Sequence, residues 1–174
     1  MPIQYINFNG EIVPEDAKLL TAENRGFRYG DGLFETMLYQ GGEIRFLHLH
    51  VDRLQRSMQT IQLEQSTMFD EYFVKKITDE LIRKNNMVGQ RVRVRLTVFR
   101  DGGGLYTPAT NKPAFILQVQ KMEIQLRDKK VGLIVDLYTE HKKPYSDLSA
   151  IKSNNSLIYV LAGNYRKKFD YDDV

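Results

Sequence analysis

The sequence predicts an α+β protein: an amino-terminal domain built as a mostly antiparallel sheet with two helices on one face, then the beginning of a second β-rich domain. Three observations carry this. Turn dipeptides separate short apolar runs in the first half of the chain, one stretch alternates strictly in polarity, and two helix-period stretches follow one another without strands between them. The βαβ alternation of a parallel sheet is absent.

Gln4 to Phe8 reads as a short strand closed by the turn dipeptide Asn9-Gly10, with Glu11 to Val13 returning before Pro14. Gly32 to Tyr39 is apolar and aromatic without helical spacing, and Gln40-Gly41-Gly42 reverses it into Glu43 to Phe46, a second hairpin. From Leu47 the period changes. Leu47, Val51, Leu54, Met58 and Ile61 fall on one helix face, and a second helix runs from about Phe69 to Asn85 with Phe69, Phe73, Ile77 and Leu81 on one stripe.

Arg91 to Val98 puts Val92, Val94, Leu96 and Val98 on one face of a strand and Arg91, Arg93, Arg95 and Thr97 on the other. After a loop from Asp101 to Lys112, Ala114 to Val119 and Val131 to Leu137 read as two more strands. The polar segment from Lys121 to Lys130 marks a boundary, giving domains at 1–121 and 122–174. Asn155 to Lys168 fits a helix with Leu157, Ile158, Leu161 and Tyr165 inward.

With 42% hydrophobic and 27% charged residues the chain has the composition of folded proteins. The absence of cysteine excludes thiolate nucleophiles, iron–sulfur centres, thiolate zinc sites and disulfides. Met1 to Ile12 lacks the basic start and apolar run of a secretory signal, which makes a cytoplasmic protein the expectation. No segment approaches the roughly 18 consecutive apolar residues of a membrane span. A net charge of +3 favours an anionic ligand without requiring nucleic acid.

Three segments carry candidate chemistry. Arg25-Gly26-Phe27-Arg28-Tyr29-Gly30-Asp31-Gly32-Leu33-Phe34-Glu35 holds three glycines, which imply positive dihedrals or close backbone approach in a tight loop. His48-Leu49-His50-Val51-Asp52-Arg53-Leu54 opens the first long helix. Its histidines, two apart, share no helix face, so no metal site is expected, and Arg53 lies between apolar stripe positions. Ser149 to Ser156 sets Lys152 among small and amide residues just ahead of a helix. Each has an ordinary reading: a turn without a ligand, a solvated arginine, a solvated lysine. The arginine face of the Arg91 to Val98 strand and the Arg166-Lys167-Lys168 cluster allow a non-catalytic anion-binding module. They lack the interleaved aromatics of a single-strand binder.

In order and separation, the three segments resemble the class IV aminotransferases, which are fold type IV pyridoxal-phosphate enzymes, over nearly the whole chain. Arg25 to Glu35 is similar to the family's R-G-[FY]-x-[FY]-G-D-G-[VL]-[FY]-E block. His50 to Leu54 resembles H-x-x-R-L, and Ile151-Lys152-Ser153-Asn154-Asn155 resembles I-K-[ST]-x-N. The resemblance implies that Arg53 binds the phosphate of pyridoxal 5'-phosphate, that Lys152 bonds to the cofactor and acts as the catalytic base, and that Phe34 lines the substrate pocket. It implies a small-molecule amino substrate and a homodimer, with no nucleic acid or membrane as partner.

The family's partner for the pyridine nitrogen and its later phosphate-binding turns lie beyond Val174, so an incomplete chain of low activity is expected. D-amino-acid transaminases of the family carry an arginine where this chain has Leu105. The Arg100-Asp101-Gly102-Gly103-Gly104-Leu105-Tyr106 run looks more like 4-amino-4-deoxychorismate lyases. The lyase is therefore slightly favoured over branched-chain or other amino-acid transamination, with Arg100 a candidate for the substrate carboxylates.

Overall fold

A computed structural model describes residues 3–65, 67–123 and 132–174. It divides into two units, one comprising 1–123 with Ile151–Asn154 and the other 124–150 with 155–174. The division falls two residues past the expected boundary at 121, and the four residues around Lys152 join the first unit.

The first unit is a six-stranded sheet, and every strand pairing in it is antiparallel. Its strands are β1 (Tyr5–Phe8), β2 (Glu11–Pro14), β3 (Gly32–Gln40), β4 (Glu43–Ile44), β5 (Val92–Arg100) and β6 (Pro113–Lys121), in the order β2-β1-β6-β5-β3-β4. Both expected hairpins form. Phe46, read as strand, instead takes a left-handed conformation (φ 55°) and caps the following helix.

The helices are α1 (Arg25–Tyr29), α2 (Leu47–Thr60), α3 (Glu71–Lys84) and, in the second unit, α4 (Leu157–Lys168). Asp70 caps α3 by accepting from Phe73 N, so this helix begins two residues after Phe69, which stands in a short 3-10 turn. Val51, Leu54 and Met58 of α2 and Val74, Ile77, Leu81 and Ile82 of α3 are buried. With Leu33, Met37, Val94, Leu96, Val98, Phe115 and Leu117 of the sheet they form one core. Phe69, Phe73 and Phe115 meet edge-on at centroid separations of 5.6 to 6.3 Å. Truncating one of these rings would cost about 3–5 kcal/mol.

Arg25 to Tyr29, expected as loop, is a short helix. Asn24 accepts from Phe27 N at its start, and Gly30 (φ 63°) closes it in the left-handed conformation that a side chain disfavours. Gly32 serves a different need, because a Cβ there would lie 2.7 Å from Asn154 Nδ2 and 2.9 Å from Val98 O.

The second unit differs more from expectation. Val131 lies outside the described residues, and 132–137 form no strand beyond a single parallel bridge between Val135 and Asp173. The α4 helix forms where expected but buries none of its residues: Leu157 is 78% exposed and Leu161 42%. Tyr165 donates to Asp136, and its ring packs near those of Tyr138, Phe169 and Tyr171. Among the described residues no helix is long and apolar enough to cross a membrane.

Candidate active site

The site is assembled on the first four residues of β3. One edge of this strand pairs with β5 from Gly32 to Tyr39, whereas β4 covers the other edge only at Tyr39 and Gln40. The uncovered stretch takes the segment around Lys152. Phe34 N donates to Lys152 O and Asn154 N to Gly32 O, each at 2.9 Å, so Leu33 and Ser153 form an antiparallel bridge. The missing Cβ of Gly32 is what lets this segment lie so close.

Lys152 Nζ stands 4.4 Å from the centroid of the Phe34 ring, and the Arg95 guanidinium carbon 3.9 Å from the same centroid. Both cations are half-buried, and neither has an acidic partner among the described residues. Burial, with added repulsion from Arg93, lowers the Arg95 pKa from its ordinary value. An aromatic ring within reach of two cations stabilises each of them modestly. Arg95 reaches Phe34 diagonally, since the register sets Arg95 opposite Thr36. With Arg93, Gln118 and Gln120 it lines a polar depression of about 340 Å³ on the face away from the helices.

Glu35, the next residue, points the other way, sharing the helix-covered face with Leu33 and Met37. It is 2% exposed. Its Oε1 accepts from Arg53 Nε at 2.7 Å, and its Oε2 from Arg53 Nη2 at 2.5 Å, with His50 Nδ1 2.7 Å from Oε2. Burial alone would raise the Glu35 pKa, but the hydrogen bonds of Arg53 and His50 and their charges outweigh it and hold the carboxyl below its usual value. The same bond raises the Arg53 pKa. Arg53 keeps 45% of its side chain exposed, and Nη1 donates to nothing among the described residues.

Three of the four expected residues thus attach to one strand end: Phe34 directly and Lys152 through the Phe34 ring and backbone on one face, and Arg53 through Glu35 on the other. Arg100 is not among them. It is 6% exposed, its Nε donates to Asp31 at 3.0 Å, and Nη1 and Nη2 donate to Gln62 O, Asn111 Oδ1 and Ile61 O. With every nitrogen engaged inside the fold, it is a buried clamp instead of a cation offered to a substrate carboxylate. Asp31 is shared with Arg25, whose Nη1 donates to the carbonyls of Gly104 and Leu105. The glycine-rich block therefore pins the glycine-rich loop. Reasoning from sequence missed Glu35 and Arg95. The signal for Glu35 is an acid at a core-facing position of an alternating strand; for Arg95 it is that strand's polar face lying two residues off Phe34 in register.

A lysine without an acidic partner among the described residues beside an aromatic ring, and a half-exposed guanidinium already oriented by a carboxylate, suit a ligand with a carbonyl and an anionic group. Comparison with known proteins gives the class. The family described as amino-transferase class IV matches residues 32–174, and the chain belongs to it. Members of this family are pyridoxal-phosphate enzymes. The chain is 29% identical over 121 residues to the aminodeoxychorismate lyase of Bacillus subtilis, covering 68% of the chain and 40% of that protein. It is 25% identical over 179 residues to a D-alanine aminotransferase of Staphylococcus epidermidis, covering 93% of the chain and 56% of that protein. A crystal structure of the Escherichia coli branched-chain amino acid aminotransferase superposes with a TM-score of 0.80 at 21% identity, over 98% of the chain and 58% of that protein. The chain thus spans about half the length of the curated relatives it matches.

Proposed function

We propose that this chain carries the lysine, part of the phosphate site and part of the substrate pocket of a pyridoxal-phosphate enzyme acting on an amino-acid-like substrate. The observation that carries the reading is the placement of Lys152 Nζ over Phe34, next to the second cation Arg95. The residues present fit the cofactor: Lys152 offers an amine without an acidic partner to its aldehyde, and Arg53 offers guanidinium N–H groups to its phosphate. When bound, pyridoxal phosphate supplies an electron sink for the pair of electrons left on the substrate carbon.

The protein's own groups do the rest. Lys152 Nζ would hold the cofactor through its aldehyde carbon and, freed from it, would remove and return the proton at the substrate carbon. Phe34 packs against the bound substrate and keeps water from that amine. Arg95, half-buried and without an ion pair among the described residues although Glu15 lines the same depression, attracts a substrate carboxylate, taking the part that Arg100 does not.

Among reactions, we favour 4-amino-4-deoxychorismate lyase, which yields 4-aminobenzoate and pyruvate; branched-chain or other amino-acid transamination is second. The glycine-rich loop and the likeness to the Bacillus lyase support this order, while Leu105, 72% exposed at the position where D-specific relatives have an arginine, counts only against the D-specific branch. We further expect a homodimer in the cytoplasm; sedimentation as monomer at micromolar concentration refutes the first part. The test of the site is incubation with pyridoxal phosphate, borohydride reduction and peptide mapping. Label on Lys152, abolished in Lys152→Ala, is expected, and label on another lysine overturns the assignment. Pyruvate release from aminodeoxychorismate, against amino transfer from D-alanine or leucine, decides the reaction.

A further inference from the structure

We propose that Glu35 is a positioning residue for the cofactor phosphate: it fixes the Arg53 guanidinium in one orientation and thereby gives the site its preference for pyridoxal phosphate over pyridoxal. The inference rests on the assignment of Arg53 to the phosphate made above.

An arginine half exposed at a helix surface ordinarily samples many rotamers, and an anion that binds it must first immobilise it. Here the immobilisation is built into the fold. The carboxylate of Glu35 grips Nε and Nη2 side by side, which sets the plane of the guanidinium and its rotation in that plane. Glu35 is itself fixed, being 2% exposed and rooted in β3 between Leu33 and Met37. His50 Nδ1 takes up the remaining capacity of Oε2, so the carboxylate has no reason to swing away from Arg53. Nη1 remains for a ligand.

The arrangement has a counter-effect. A carboxylate beside Arg53 cancels part of the positive field that a phosphate dianion would feel. Orientation and neutralisation therefore predict opposite results when the charge is removed. They also differ on shortening: Glu35→Asp keeps the charge but withdraws it from Arg53 and breaks the side-by-side pair.

The experiment compares dissociation constants for pyridoxal phosphate and pyridoxal, followed by absorbance, on the protein as it occurs, with inorganic phosphate as competitor. The pyridoxal constant divided by the pyridoxal phosphate constant is a ratio that isolates the phosphate, since a general loss of folding weakens both ligands alike. If Glu35 positions Arg53, Glu35→Gln and Glu35→Asp each lower the ratio about tenfold or more, the equivalent of one charge-assisted hydrogen bond. Adding Glu35→Gln to Arg53→Ala then changes the ratio no further. A ratio unchanged or raised in Glu35→Gln and Glu35→Asp, with Arg53→Ala lowering it, overturns the proposal while leaving the phosphate assignment intact. Equal weakening of both ligands makes Glu35 a residue of folding only and also overturns it. If Arg53→Ala leaves the ratio unchanged, the phosphate assignment fails first and the proposal falls with it.

Discussion

Replacing Gly32 by alanine tests whether the site depends on how closely the Lys152 segment lies against β3. Gly32 is not among the residues of positive φ, so alanine meets no backbone penalty there and its effect is one of space. The new Cβ would sit 2.7 Å from Asn154 Nδ2, 2.9 Å from Phe99 Cβ and 2.9 Å from Val98 O. Phe99 is buried and Val98 O belongs to the β5 ladder, so the segment bearing Asn154 is what yields. Overpacking of this kind costs about 1–3 kcal/mol. Loosening the two backbone hydrogen bonds to Lys152 O and Asn154 N adds about 0.5–1.5 kcal/mol each. A displacement worth about 2 kcal/mol or more lowers the equilibrium for docking of the segment roughly thirtyfold. Borohydride labelling of Lys152 with pyridoxal phosphate is then expected to fall more than tenfold, with a smaller shift in the urea midpoint of the sheet. Gly30→Ala is the control, because its φ of 63° predicts a loss of about 1 kcal/mol in stability and little change in labelling. Wild-type labelling and an unchanged midpoint in Gly32→Ala would refute the reasoning.

Other predictions concern charge. Because the folded pKa of Glu35 lies below its ordinary 4.5, its pairing stabilises the fold above that pH and the contribution disappears as pH falls through the lower folded value. Denaturation of wild type and Glu35→Gln should therefore converge in acid; a gap that does not narrow as pH falls from 4.5 into the acid range contradicts this. Tyr39, pushed from 10.0 to about 12 by burial and then by its hydrogen bond to Asp79, is protonated in the fold where it would ionise unfolded. Its contribution is complete below 10.0 and lost between there and about 12, and Asp79→Asn should lower the ultraviolet titration midpoint of this tyrosine. Arg100→Ala leaves Asp31 to Arg25 alone and takes the buried donor from Ile61 O, Gln62 O and Asn111 Oδ1, so unfolding free energy should drop by about 3 kcal/mol, with no rescue by lysine, whose ammonium cannot fork. A variant of normal stability with a raised KM would restore Arg100 to the substrate.

The strands and long helices were legible because burial imposes a period, and Val92 to Val98 or Val51, Leu54 and Met58 display it without interruption. The α1 helix was not, since five residues containing a glycine offer no period to read and its evidence is a cap at Asn24. For α4 the period was right and the inference drawn from it was not. A stripe of Leu157, Leu161 and Tyr165 says which residues share a face, not whether anything covers that face. At the site, Lys152 and Arg53 were found through motifs, which record chemistry at fixed local spacing. Glu35 and Arg95 act through partners far along the chain, and Arg100 looked available because its acceptors in Ile61, Gln62 and Asn111 are invisible to local spacing.

The bridge between Leu33 and Ser153 bears on how the protein is made. As the chain is synthesised, β3 can pair with β5 and with the short β4, yet its edge at Gly32 to Phe34 stays unpaired until the residues around Lys152 have left the ribosome. An uncovered strand edge with apolar neighbours is a place where nascent chains stick to one another. The segment that brings the amine to Phe34 is also the one that closes this edge. A released chain cut before residue 150 should therefore aggregate more readily than one that extends just past Asn154, which makes arrival of Lys152 and protection of the sheet edge a single event.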